Sequence, residues 1–137
     1  MAHRLGTSSS DILTAVDYLR SGGVVGVPTE TVYGLAASAF NVDAVSEIYR
    51  LKGRPANNPL ILHIHHQDQL DQLATSVPEA LSRLVEAFWP GPLTVVLQSK
   101  ACVPDIVRAG GDTVAIRLPS HSVFQQVLTT IDEPLAA

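Results

Sequence analysis

Short β-branched runs alternate irregularly with amphipathic segments of helical period along the whole of this sequence. The strand-sized runs are residues 24–27, 32–37, 60–64, 93–98 and 113–118. The helical segments are residues 11–21, 42–51, 78–88 and 122–129. This pattern is typical of helices packed on a sheet, so it predicts an α/β or α+β fold rather than a helical bundle or a β-sandwich. The apolar residues 134–137 predict the start of one more strand.

Length and composition limit the class of protein. A chain of 137 residues with 46% hydrophobic and 16% charged residues fits one folded domain, and its apolar runs are too short to cross a membrane. The single cysteine, Cys102, excludes an internal disulfide, so the cytoplasm is the expected compartment. The net charge of −4 argues against general nucleic-acid binding, because such binding depends on Lys and Arg neutralising phosphates. Residues 1–10 are expected to form a flexible N-terminus.

The first segment that points to chemistry is residues 28–35, with the sequence PTETVYGL. It places hydroxyl groups and a carboxylate close to Gly34, a residue that permits close approach of the backbone to a ligand. A polar loop whose side chains bond only to nearby backbone groups would have the same composition. The residues alone leave both interpretations open.

The second segment is a group of cations at the predicted end of a helix. Residues 52–59 read KGRPANNP, so Lys52 and Arg54 flank a glycine and Asn58 follows them. An ammonium and a planar guanidinium around a flexible glycine suit a polyphosphate ligand. Favourable charge at a helix C-terminus accounts for Lys52 but not for the Gly-Arg-Pro sequence after it. Neither of the standard glycine-rich nucleotide motifs is present in the sequence.

Two further polar residues lie on apolar strands. His63 is either a buried, hydrogen-bonded histidine or a neutral donor that faces a ligand. His65 and His66 follow it, but strand alternation places His66 on the opposite side and no cysteine is near, so no metal site is predicted. Arg117 ends the run 113–118, where it requires either a salt bridge within the fold or an anionic ligand.

Four signatures in order resemble those of the YrdC/TsaC family of L-threonylcarbamoyl-adenylate synthases. They are residues 28–36, 52–64 (KGRPANNPLILHI), 89–94 (WPGPLT) and 114–119 (VAIRLP). The resemblance implies that residues 11–137 form a YrdC-like domain, a strongly twisted mixed sheet flanked by helices. It also implies an enzyme that joins L-threonine, bicarbonate and ATP, with Mg²⁺ bound to the ATP, into threonylcarbamoyl-AMP and pyrophosphate. A downstream tRNA threonylcarbamoyltransferase would use the product to form threonylcarbamoyladenosine.

The same resemblance implies roles for particular residues. The expected threonine contacts are Thr31, His63, Arg117 and the backbone of Ala137. The expected ATP contacts are Lys52, Arg54, Asn58 and Thr113, and the first two would also stabilise charge on the phosphates during the reaction. Family members continue past residues 134–137 into a Ser-x-Asn motif, so the domain is expected to be incomplete at its C-terminal end. The alternatives are a carbamoyltransferase domain that handles carbamoyl-adenylate and a non-catalytic module that binds tRNA or other RNA.

Overall fold

The computed structural model of this protein describes residues 4–30, 32–55 and 57–137. Its strands are β1 (Val25–Pro28), β2 (Tyr33–Ser38), β3 (Ile61–His63), β4 (Thr94–Gln98), β5 (Thr113–Arg117) and β6 (Leu135–Ala136). Its helices are α1 (Ser9–Arg20), α2 (Val42–Lys52), α3 (Leu70–Leu73), α4 (Glu79–Phe88) and α5 (Ser122–Ile131), and a 3₁₀ turn at Gln67–Gln69 precedes α3. The predicted mixed fold of sheet and flanking helices is confirmed. Among the described residues, no helix has the length and apolar character needed to span a bilayer.

The strands form one six-stranded sheet in the order β1-β2-β6-β3-β5-β4. Neighbouring strands are antiparallel except β3 and β5, which run parallel and align Ile61 with Ala115 and His63 with Arg117. Two parallel strands bring their carboxyl ends to the same edge of a sheet, so His63 and Arg117 lie side by side. The strand predicted at residues 134–137 is present as β6 and lies inside the sheet, between β2 and β3.

One face of the sheet is packed against helices across most of its width. Leu62 and Ile116 of this face belong to a core cluster that also contains Ile48 of α2, Leu73 of α3 and Val85 of α4. All five side chains have no exposed surface. Burial of apolar surface on this scale is the main source of stability for a domain of this size. This face therefore stabilises the fold, and a ligand site is expected on the opposite face.

The opposite face is covered over β1, β2, β6 and the end of β3, where Phe124 packs on His63. There α1 and α5 pack on the sheet, and Val16, Phe124 and Leu135 are fully buried in a second core cluster. Over β4, β5 and the start of β3 the same face has no such cover, and Val96 at its edge is 61% exposed. Strand alternation and pairing place seven side chains on this uncovered part, which we call the open face. They are Ile61, Thr94, Val96, Gln98, Thr113, Ala115 and Arg117.

Several predicted boundaries differ by one or two residues. Helix α1 begins at Ser9 rather than at residue 11, because the hydroxyl of Ser8 accepts a hydrogen bond from the Asp11 N–H at 3.2 Å and caps the helix there. Pro78 precedes α4 as its cap and is not its first residue. Strand β3 begins at Ile61 rather than at residue 60, because the Leu60 N–H bonds to the Val107 carbonyl at 3.1 Å.

The segment between β3 and α4 contains helical structure that the sequence did not indicate. His66 and Gln69 form a reciprocal cap around the 3₁₀ turn, and the short helix Leu70–Leu73 follows directly. These elements contain little more than one turn each, so a search for a repeated apolar period does not detect them.

Candidate functional site

The carboxyl ends of β3 and β5 hold a buried histidine beside an arginine. His63 is 3% exposed and its ring lies 5.0 Å from that of Phe124, centroid to centroid. Burial and the positive charge of Arg117 lower the pKa of His63 to about 4, although the backbone of Ile61 and Leu135 acts in the opposite direction. The imidazole is therefore neutral near pH 7.

One ring nitrogen of His63 lacks a hydrogen bond. Among the described residues, the buried Nδ1 atom of His63 has no partner. The sequence had suggested either a buried histidine with its hydrogen bonds satisfied or a neutral histidine facing a ligand, and this geometry favours the second. Buried polar atoms without partners are rare because their lost hydration is not compensated, so Nδ1 is a candidate contact for a bound ligand.

Arg117 is held in place by a neutral partner. Its Nε–H donates to the Thr94 hydroxyl on β4 at 3.1 Å, and the side chain is half-buried. Within residues 4–30, 32–55 and 57–137, none of the ion pairs includes Arg117, so the salt bridge considered from the sequence is not formed there. Because Thr94 binds only the Nε–H, the terminal N–H groups keep the planar fork that suits a carboxylate.

A carboxylate from the PTETVYGL segment reaches the same end of the sheet. The Glu30 Oε1 atom accepts hydrogen bonds from the Ser120 N–H at 2.5 Å and from the Ser120 hydroxyl at 2.8 Å. Burial alone would raise the pKa of Glu30, but these bonds, its own backbone N–H and the charge of Arg117 together hold it below its usual value. Glu30 is therefore ionised near pH 7.

The cationic loop lies at the end of α2. Gly53 ends the helix with φ 61° and ψ 27°, a left-handed conformation that glycine adopts without strain. Arg54 turns back onto its own loop, where Nε donates to the Asn58 carbonyl at 3.0 Å and Nη2 donates to the Pro59 carbonyl at 2.5 Å. The Tyr49 hydroxyl is within bonding distance of the same Asn58 carbonyl, at 3.0 Å. Lys52 is exposed at the end of the helix. Hydrogen bonds to the Asn58 and Pro59 carbonyls therefore hold the Arg54 guanidinium in place, and Lys52 carries its cation at the surface.

The predicted residues form two groups at opposite ends of the open face. The cationic loop leads into β3 and Thr113 begins β5, so both lie at the amino ends of the parallel strands. His63 and Arg117 end the same two strands. At a rise of about 3.3 Å per residue, Thr113 and Arg117 are about 13 Å apart. Ala137 lies between the groups, because its N–H and carbonyl bond to the Ile61 backbone at 3.0 and 3.1 Å.

One predicted threonine contact, Thr31, lies outside the described residues.

Three other candidates were not predicted. Thr94, Glu30 and Ser120 were assigned no role from the sequence, although Thr94 closes the WPGPLT signature and Glu30 lies in PTETVYGL. Ser120 had no sequence signal, because its partner is 90 residues away along the chain. In the part of the chain that the structure describes, no group of three or more potential ligands could hold a metal ion.

The domain is a twisted mixed sheet with one half-open face. Cations lie at one end of that face, and a neutral histidine lies beside an arginine at the other end. This arrangement suits an extended anionic ligand. A family model described as Telomere recombination, Sua5_yciO_yrdC, matches residues 17–137. The chain therefore belongs to the Sua5/YciO/YrdC family, and the family resemblance predicted from its signatures is confirmed.

Curated relatives and solved structures agree with this assignment. The chain is 46% identical over 126 residues to threonylcarbamoyl-AMP synthase of Pyrococcus abyssi. The match covers 92% of this chain and 37% of that protein. It is also 46% identical over 137 residues to threonylcarbamoyl-AMP synthase of Bacillus subtilis, covering 97% of this chain and 39% of that protein. The structure of P. abyssi Sua5 complexed with L-threonine has a TM-score of 0.92 and 44% identity, covering 98% of this chain and 39% of that one. The chain thus spans less than two fifths of the length of these relatives.

Proposed function

We propose that this domain acts in a threonylcarbamoyl-AMP synthase, which joins L-threonine, bicarbonate and ATP and releases pyrophosphate. The observation that carries the proposal is the arrangement of the open face. A neutral His63 is paired with Arg117 at one end of the parallel strands, and the Lys52 and Arg54 loop lies at the other end. Relatives with 46% identity bear the name of this enzyme, and a relative with 44% identity was solved with L-threonine.

In this proposal the threonine lies at the carboxyl ends of β3 and β5. Arg117 binds the threonine carboxylate through its terminal N–H groups, since Thr94 already holds its Nε–H. The neutral imidazole of His63 contacts the substrate through a ring nitrogen, with Thr31 as a further contact. The backbone of Ala137 borders the substrate from the neighbouring strand.

The ATP lies at the amino ends of the same strands. Lys52, Arg54 and Asn58 hold its phosphates, and Thr113 contacts the nucleotide. The hydrogen bonds that hold Arg54 support this role, because donors that need no rearrangement stabilise charge more effectively. Mg²⁺ enters bound to the triphosphate as part of the substrate, which suits an ion that prefers phosphate oxygens and water.

The chemistry requires positioning more than a protein nucleophile. The threonine amine and bicarbonate form a carbamate with loss of water. A carbamate oxygen then attacks the α-phosphorus of ATP, and the bond to the β-phosphate oxygen breaks so that pyrophosphate leaves. Lys52 and Arg54 stabilise the charge that develops on the phosphate oxygens. Holding the reactants in line on a rigid sheet supplies much of the remaining acceleration.

We further propose that the product passes to a tRNA threonylcarbamoyltransferase, which forms threonylcarbamoyladenosine in tRNA. Direct contact with tRNA would have to be local, because the net charge of the chain is −4. We assign the protein to the cytoplasm, a compartment consistent with its single cysteine.

A pyrophosphate-release assay with each substrate omitted in turn tests the proposed function. We expect release from ATP only when L-threonine and bicarbonate are both present. Turnover that continues unchanged without threonine would contradict the proposal and favour carbamoyl transfer. The R117A variant should lose the response to threonine, whereas R83A, a change on the exposed surface of α4, should keep it.

A further inference from the structure

Glu30 and Ser120 are bonded although their strands are not neighbours. Glu30 follows β1 at one edge of the sheet and Ser120 follows β5, with β2, β6 and β3 between those two strands. Ser120 lies three residues beyond Arg117, and the charge of Glu30 acts on both Arg117 and His63. The contact therefore lies above the end of the sheet where His63 and Arg117 are paired.

Both bonded segments are ordered by other contacts. On one side, the Thr29 N–H donates to the Val32 carbonyl at 3.0 Å, which joins a residue before Glu30 to one after it. On the other side, the Gln125 side chain donates to the Pro119 carbonyl at 2.7 Å, which fixes the turn that contains Ser120. Each segment is thus organised locally, and the Glu30 carboxylate joins the two.

The Ser120 turn leads directly to the buried histidine. His121 caps α5, accepting a hydrogen bond from the Val123 N–H at 3.2 Å, and Phe124 in the first turn of that helix packs on His63. Arg117 lies three residues before Ser120. The contact with Ser120 therefore connects the Glu30 segment to both His63 and Arg117, the residues of the proposed threonine site.

We propose that Glu30 is a positioning residue, whose carboxylate holds the PTETVYGL segment against the end of β5 and so shapes the pocket around His63 and Arg117. The inference rests on the proposed function and identifies a residue for its threonine site. Glu30 acts as a double acceptor for the Ser120 N–H and hydroxyl. A glutamine keeps an acceptor oxygen at the same place, whereas alanine removes it.

The test compares E30A, E30Q and S120A, with E79A as a control in which an exposed carboxylate is removed from α4. We expect E30A to raise the threonine KM at least about tenfold, the scale of a lost hydrogen bond to a charged group, while the ATP KM changes less than about twofold. E30Q and E79A should stay within about threefold of the unmodified protein, and S120A should lie between E30A and E30Q. An unchanged threonine KM in E30A would overturn the proposal. An E30Q variant as impaired as E30A would overturn it too. The negative charge of Glu30 would then matter, rather than its hydrogen bonds to Ser120.

Hydrogen exchange provides a readout that does not depend on activity. Peptides that contain Glu30 or Ser120 should exchange faster in E30A than in the unmodified protein, in E30Q or in E79A. Equal exchange in all four proteins would overturn the proposal even if activity changed. If the unmodified protein shows no threonine-dependent pyrophosphate release, the proposed function fails, and the exchange rates still decide whether Glu30 holds the two segments together.

Discussion

His63 and Arg117 are paired across β3 and β5, and the guanidinium opposes a second positive charge on the buried imidazole. The pair therefore has a single positive charge near pH 7, carried by Arg117. A ligand at this end of the sheet meets a cation and a neutral hydrogen-bonding ring, a combination that suits the carboxylate and hydroxyl of an amino acid such as threonine.

We expect acid to destabilise the protein through His63. The pKa of His63 is about 4 in the folded chain and 6.5 in a free side chain, so between these values the unfolded chain binds a proton that the folded chain does not. Stability should therefore decrease as the pH falls from about 6.5 to about 4, by up to about 1.4 kcal/mol per pH unit. Chemical denaturation at several pH values, with H63Q for comparison, measures this contribution. Identical pH slopes in the two proteins would contradict it.

Replacing Arg117 by alanine should weaken threonine binding by about 1.5 to 3 kcal/mol, because a charge-assisted contact to the carboxylate is lost. Lysine at this position should restore only part of the affinity, since it lacks the planar fork. ATP binding should change much less, because the proposed phosphate site lies at the other end of the open face. Calorimetric titration of both ligands tests this expectation, and equal losses for the two ligands would argue that Arg117 supports the fold instead.

Lys52 and Arg54 should differ in their effect on stability. K52A removes an exposed cation and should weaken ATP binding without changing the melting temperature. R54A should weaken ATP binding and also lower stability by about 1 kcal/mol, because the Asn58 and Pro59 carbonyls lose their donor. R50A is the matched control, since that guanidinium binds the Glu47 carboxylate. Thermal melts and ATP titration measure both quantities, and a stable R54A protein would contradict the structural part of its role.

Phe124 should be important for both stability and the histidine environment. Its side chain is fully buried and contacts the His63 ring, so F124A should cost about 3 to 5 kcal/mol of unfolding free energy. The milder F124L should fold and should allow the pKa of His63 to rise toward its ordinary value, because the histidine would be less completely buried. Denaturation measures the first effect and NMR titration of the imidazole measures the second. A histidine pKa in F124L that stays at the native value would show that the ring does not exclude water.

Much of the fold follows from local sequence. The cap at Gly53, the apolar period of α2 and the β-branched core of β5 each predict their element without knowledge of the rest of the chain. The short helix Leu70–Leu73 could not be found in this way, because four residues contain little more than one turn.

The site was only partly predictable for a different reason. His63 and Arg117 are polar residues on apolar strands, so their positions alone raise the possibility of a ligand. Their pairing, however, depends on the parallel register of β3 and β5, which no local pattern specifies. The bond between Glu30 and Ser120 likewise joins segments that are close only after the sheet has formed.

The parallel register of β3 and β5 also constrains the distance between the two proposed substrate sites. Because β5 runs from Thr113, in the proposed nucleotide site, to Arg117, in the proposed threonine site, the length of its backbone sets the distance between the two sites. Substitutions on the buried side of this strand leave that distance unchanged. Insertion or deletion of one residue would turn either Thr113 or Arg117 to the opposite face of the sheet, because side chains alternate along a strand. The length of β5 is therefore a constraint separate from the identity of its side chains.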